Sequence, residues 1–118
     1  MIDVVLKRFD APDETRQFPK GRFEIVRLGG ITIGRATYEP GWKWSEDVGR
    51  ELGQARCGVG HVGIVLSGTA VAAFDDGQVI ELAAGGLFSI PAIPHDSWVV
   101  GSEPYISIHF LGAEDYTR

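Results

Sequence analysis

Apolar and polar residues alternate in short runs along this chain, and no run keeps a helical period over three turns. Alternation with a period of two marks half-buried strands, and the pattern predicts about nine of them, punctuated by glycine and proline. An edge strand is expected over residues 4–9, then a turn or single helical turn over 12–15, where Pro12 and Asp13 suit a start. Residues 23–28 and 31–38 read as a hairpin across Gly29 and Gly30. Trp42 and Trp44 stand one residue apart, on one face if the chain is extended there. Residues 47–56 read as a loop carrying at most a short turn of helix, because Gly49 and Gly53 weaken any longer one.

Residues 61–67 are apolar enough for a core strand. A second hairpin joins 69–74 to 79–82 around Asp75, Asp76 and Gly77, whose Asp-Gly pair supplies the positive φ of a primed turn. Gly85 and Gly86 mark another turn. Strands over 87–90, 97–100 and 105–110 complete the set, separated by the proline corner 91–94 and the turn 101–104. The final residues, 112–118, read as a loose tail. Many short strands with turns at near-regular spacing define an all-β sandwich or barrel.

Composition narrows this picture. A chain of 118 residues, 44% hydrophobic and 23% charged, suits one globular domain with a real core. Its 16 glycines and 6 prolines are dispersed, as short strands joined by tight turns require. A single cysteine excludes an intramolecular disulfide, so nothing calls for an oxidising compartment. The first eight residues have an acid at the third position and no long apolar run, which fits neither a signal peptide nor a membrane span. A net charge of −5 argues against a nucleic-acid partner, since phosphate binding needs a basic face. The expected location is cytoplasmic, with no membrane partner.

Candidate chemistry gathers in the stretch CGVGHVGIVLSG, residues 57–68. It holds the only cysteine and one of three histidines at the mouth of a core strand, which suggests a site built into a barrel. Taken singly, Cys57 is a small buried hydrophobe and His61 a satisfied polar residue at a strand start. His95 follows the proline corner, and all three converging by chance is less expected than any one alone. His109 shares a strand face with Tyr105 and Ser107, opposite Ile106, Ile108 and Phe110, and is expected on the outer face. Glu46, Asp47, Glu51, Asp75 and Asp76 read as solvated loop acids, with no pair placed for acid–base work.

Residues 49–68 and 85–95 resemble the two motifs of the cupins, small jelly-roll barrels with a metal site inside. In the first motif His61 stands at the glutamate position and Gly68 at the closing glycine. Cys57 replaces the second histidine, Ala55 the first, and Gly49 falls on the opening glycine. In the second motif Gly85 and Pro91 keep their spacing, Ile93 replaces the inner glycine, and His95 arrives one residue early. The run 34–45, the Asp75-Asp76-Gly77 turn and residues 95–101 also look like a subgroup of single-domain cupins.

The resemblance implies a jelly-roll (cupin) β-barrel, or double-stranded β-helix, formed by one domain over 1–118. Its core would span about 20–112, with an N-terminal strand and turn over 1–19 and a tail over 113–118. It further implies that Cys57, His61 and His95 face the interior and hold one divalent transition metal (zinc, iron, nickel or copper), with a position left open. Ala55 removes one expected ligand, for which Glu46 or Asp47 folding back is a candidate replacement. Trp42, Trp44 and Trp98 are the candidate wall of a small-molecule pocket, or else core or subunit-interface packing.

Three functions remain. One is a small-molecule-binding domain, with or without the metal. Another is a metal-dependent enzyme of dioxygenase or isomerase type acting on a small organic substrate, and a third is a non-catalytic regulatory domain that dimerises. The missing motif histidine and the lack of an obvious general base favour binding. A homodimer is expected from the family and from an N-terminal segment able to pair with a partner's sheet edge.

Overall fold

The structure, a computed structural model, describes residues 3–116. Nine strands and two four-residue helical turns follow in the order β1 (Glu14–Phe18), β2 (Gly21–Leu28), β3 (Ile31–Tyr38), α1 (Trp44–Asp47), α2 (Gly49–Leu52), β4 (His61–Ser67), β5 (Thr69–Phe74), β6 (Val79–Ala83), β7 (Leu87–Ile90), β8 (His95–Val100) and β9 (Tyr105–Leu111). They form two antiparallel sheets, one ordered β1-β2-β3-β9-β4-β7 and the other β6-β5-β8. Packed face to face, these sheets make an all-β jelly roll. Among the described residues, no helix is long and apolar enough to cross a membrane.

The β2–β3 hairpin forms across Gly29 and Gly30, with Phe23 paired to Ala36 and Ile25 to Gly34. Gly34 has a packing reason: a Cβ there would fall 2.1 Å from Phe23 Cζ, so the bare Cα makes room for that ring. Phe23, Ile25, Ala36, Tyr38, Trp42, Val65, Tyr105 and Tyr116 belong to one core between the sheets. Tyr38 and Trp42 stack at 3.8 Å and 7° at its centre. The β5–β6 hairpin also forms, with Gly77 at a φ of 93°. Its connection is four residues long, and Asp76 accepts the Gln78 N–H inside it at 2.9 Å.

Several expectations are corrected. No strand forms over residues 4–9, and Val4, Val5 and Leu6 are exposed. The first strand lies instead where a turn was expected, beginning at Glu14. Its contacts explain why: Arg27 reaches Glu14 and Glu114, both at 2.8 Å, so a charged network holds β1 where an apolar face would normally announce a strand. Asp13 ties the entry down by accepting the Arg27 backbone N–H at 2.7 Å.

The segment 47–56 holds the α2 turn, while α1 already starts at Trp44. Asp47 is buried rather than solvated, because its carboxylate accepts the Lys43 backbone N–H at 2.8 Å and satisfies the start of α1. β8 starts at His95, two residues ahead of its expected first position.

The tail is not loose within the described residues. Ala113 and Tyr116 are buried, and the Tyr116 hydroxyl lies 2.6 Å from that of Tyr38 inside the core. Residues 117 and 118 lie outside the described residues. Tyr116→Phe is expected to cost about 1–2 kcal/mol, because the Tyr38 hydroxyl loses its buried partner. The Tyr38→Phe/Tyr116→Phe double variant should recover most of that loss, since neither hydroxyl then remains to be satisfied. Urea unfolding of the three variants checks this, and simple additivity of the two single losses would contradict it.

Candidate metal centre

A long-range backbone bridge and a short local turn bring the site together. Cys57 lies on no strand, but its backbone pairs with His95 in a two-way bridge, N–H to carbonyl at 2.8 Å and 3.0 Å. The bridge anchors the loop ahead of β4 to the start of β8. The chain then turns through Gly58, Val59 and Gly60 and enters β4 at His61, whose strand partner is Ile90 on β7. Four residues of separation thus become a direct contact: Cys57 Sγ lies 3.5 Å from His61 Nε2.

His95 completes the group. The candidate ligand atoms of Cys57, His61 and His95 all lie within 4.8 Å of one another, and all three residues are buried. The His61 and His95 rings meet edge to face at 5.6 Å and 83°. His95 Nδ1 sits 2.8 Å from the Ile93 carbonyl and donates to it, which leaves Nε2 as the lone-pair nitrogen. Ile93, standing where the motif has glycine, therefore contributes through its backbone.

Burial sets the protonation states. His61 is pushed down to about 2, first by burial and then by the neighbouring His109 and His95, so its imidazole is neutral with a free lone pair. Burial pushes the Cys57 thiol up to about 11. His61 Nδ1 is buried with no hydrogen-bond partner among the described residues. A buried thiol and an under-satisfied imidazole are costly when left alone and suit a soft cation. One thiolate and two imidazoles fit zinc, iron, nickel or copper, and three protein ligands leave coordination positions open.

The sequence reading placed His109 on the outer face, and the structure corrects this. His109 faces the interior, 5% exposed, with its ring 5.3 Å from that of His61. Its Nε2 is 3.1 Å from Ser107 Oγ, and burial pushes its pKa down to about 4. Tyr116, on the tail, closes over His61 at 4.7 Å and 83°. The signal for His109 was present but inverted. On β9 the polar row Tyr105, Ser107 and His109 points inward, while Ile106, Ile108 and Phe110 point outward.

The remaining candidates are dispersed. Ala55 is exposed, so the missing motif ligand has no counterpart at that position. Glu46 is exposed and Asp47 is engaged with Lys43, so neither belongs to the three-residue group. Of the tryptophans, Trp42 lines a cavity of about 30 Å³ together with His61, His95, His109 and Tyr116. Trp44 is buried against Gly49, where an added Cβ would lie 2.6 Å from its ring. Trp98 alternates out of phase with His95 and Ser97 and carries the Lys43 ammonium over its ring at 5.5 Å. The three therefore do not share one wall.

No family profile and no curated protein sequence matches the chain. Solved structures do. Oxalate decarboxylase from Lactobacillus farciminis, in a formate complex, superposes over 84% of this chain with a TM-score of 0.58 and 17% identity. The chain spans only 30% of the length of that protein. A protein of unknown function from Rhizobium leguminosarum matches over 92% of this chain and 95% of its own length, with a TM-score of 0.63 and 19% identity. Another of unknown function, from Acidithiobacillus ferrooxidans, reaches a TM-score of 0.60 at 22% identity over 83% of this chain and 86% of its own. These likenesses establish the cupin fold. Within that fold this chain places a buried Cys57, His61 and His95 group that could hold a metal ion.

Proposed function

We propose that this chain is a small-molecule-binding cupin domain whose barrel holds one divalent transition metal through Cys57, His61 and His95. The carrying observation is the convergence of three buried soft donors within 4.8 Å, one of them oriented by a second hydrogen bond to a backbone carbonyl. When bound, such an ion supplies a Lewis-acid position open to a ligand atom. The chain's own residues orient and enclose that position: Ile93 sets the His95 ring, and Tyr116 and Trp42 close the cavity. At about 30 Å³ the cavity has room for one water-sized group.

Binding is favoured over catalysis by the acids. The buried carboxylates are engaged elsewhere: Asp47 and Asp96 accept backbone N–H groups of Lys43, Ser45 and Ser97, Glu24 pairs with Arg35, and none of the three lines the cavity. Elemental analysis of gently purified, untagged protein tests the proposal. One equivalent of metal is expected in the native chain and less than a tenth of that in Cys57→Ala, His61→Ala and His95→Ala, each checked for folding by circular dichroism. A native protein that neither contains nor takes up zinc, iron, nickel or copper would remove the metal from this reading.

A homodimer is proposed as well, on a separate observation. Val62, Leu66 and Phe110 are 36%, 53% and 49% exposed on the outer face of the large sheet, beside Ile64, Ile106 and Ile108. An apolar outer face on an antiparallel sheet is unusual for a monomer, and a second copy presents the same face for two-fold packing. Ile108→Glu is expected to convert the dimer to a monomer in sedimentation velocity. A native protein that sediments as a monomer at all concentrations would contradict this.

A further inference from the structure

The two sheets are not closed along one side. β6 and β7 are the outermost strands of their respective sheets and follow each other through Gly85 and Gly86, yet they do not pair. They splay apart between the tip of the β5–β6 hairpin and the proline corner. The gap is a chamber of about 600 Å³, within the ordinary range for small-molecule sites. Its walls are apolar: Phe74, Ile80, Leu82, Phe88, Ile90 and Ile93. Ile80 and Ile93 remain 40% and 52% exposed there.

Two observations tie this chamber to a ligand. Leu82, Phe88 and Ile90 line both the chamber and the small cavity that contains His61 and His95. A molecule in the chamber is therefore separated from the candidate metal ligands by one layer of side chains. The second observation is charge. Asp75 and Asp76 stand on the lining at the hairpin tip, and among the described residues no Lys, Arg or His does. Glu81 pairs with Val71 and shares the outer face of its sheet with Trp98, so its carboxylate does not belong to this rim. Arg56 neutralises Asp75 from outside at 3.0 Å, which leaves the carboxylate of Asp76 without an ion-pair partner among the described residues. Small carboxylates find no counter-charge in this chamber.

We infer that the chamber between β6 and β7 binds the apolar body of a small organic cation, whose charged end meets Asp76. The inference rests on the reading of the barrel as a small-molecule site, and it names the ligand class. It does not require the metal, because the apolar walls and the acidic rim are separate from the three ligands. A chain-length-matched probe series isolates both terms: n-octylammonium, n-octanol and n-octanoate share one body and differ only in head charge.

Calorimetric titration at low salt and neutral pH, with amide chemical shifts to locate the site, is the test. Octylammonium is expected to bind at least about tenfold tighter than octanoate, with octanol between them and the gap narrowing as salt rises. Asp76→Asn should bring the ammonium and carboxylate within about threefold while leaving octanol unchanged. Ile80→Asn, a change at a half-exposed edge position that leaves the core intact, should weaken all three probes alike. The same series on the Cys57→Ala protein separates the two readings: ordered binding there supports the chamber even where no metal is found. Octanoate binding as tightly as octylammonium would overturn the inference. So would failure of all three probes to bind, or shifts confined to residues outside the chamber. If Ile80→Asn dissociates a dimer rather than weakening probe binding, the chamber is a seat for a second copy of the chain, and the inference fails.

Discussion

Lowering the pH from about 7.5 to about 5.5 is expected to cost the metal-free protein about 3 kcal/mol of stability. The loss comes from His61 and His109, whose rings face each other across the interior at 5.3 Å. Both are held neutral in the fold, with pKa values pushed down to about 2 and about 4 from an ordinary 6.5. Above that ordinary value both folded and unfolded chains carry neutral imidazoles, and these groups exert no pH dependence. As the pH falls below it, the unfolded chain takes up protons that the folded chain refuses. Each histidine then lowers stability by about 1.4 kcal/mol over the first full pH unit below that value, and two contribute about 3. That is a large part of the roughly 5–15 kcal/mol typical of a domain.

The thiol and the phenols packed around these rings do not mask the effect. Tyr116 sits against both rings, and the thiol and phenols of Cys57, Tyr38 and Tyr105 are raised by burial, so all remain neutral across this window. Glu14, lowered to about 2 by Arg27 and Arg16, contributes stability that disappears only as the pH falls from its ordinary 4.5 toward that value. Urea unfolding at the two pH values measures the loss, and His109→Gln should halve it. Equal stability at both would show that the histidines are not buried neutral as described.

The second large effect belongs to Gly68, the closing glycine of the first motif. Its φ is +75°, and a Cβ would lie 2.3 Å from the Pro104 carbonyl oxygen. Both penalties are backbone penalties, so no change of rotamer relieves them. Left-handed strain contributes about 1–2 kcal/mol and the clash another 1–3, so Gly68→Ala is expected to destabilise by about 3 kcal/mol. Gly29→Ala is the control, since Gly29 has a φ of +58° but nothing within 4 Å of the added carbon. It should cost only about 1–2 kcal/mol. Denaturant midpoints of the two variants compare them directly, and equal losses would show that the Pro104 contact is relieved by a small shift.

Much of the barrel was legible because it is written locally. Both hairpins are declared by glycine or Asp-Gly turns between alternating runs, and β4, β7 and β9 lie where their apolar residues predict. The motif residues that shape backbone, Gly68 among them, mark positions where only one residue type fits. Cys57 and His61 were legible as neighbours at the mouth of a core strand, and the three residues between them, two of them glycine, make the turn that brings the side chains together.

Other features were decided only by contacts between distant segments. β1 forms because Arg27 and Glu114 supply its partners, and its charged residues resemble a turn until those partners are in place. Tyr116 looks like tail until it meets Tyr38, 78 residues away in the chain. His109 was misplaced because alternation reveals that a strand has two faces without saying which one turns inward. On β9 the interior took the polar row, since the cavity there is built from His61, His95 and His109, and the aliphatic row was left outside. What the sequence determined by itself was an all-β barrel and, through the cupin resemblance, the jelly roll and Cys57, His61 and His95 as candidate ligands. Tertiary structure alone decided that a backbone bridge sets His95 beside Cys57, that His109 and Tyr116 close over the group, and that an acidic-rimmed apolar chamber opens beside it. These depend on which strands meet across the barrel, and no local pattern of residues encodes that.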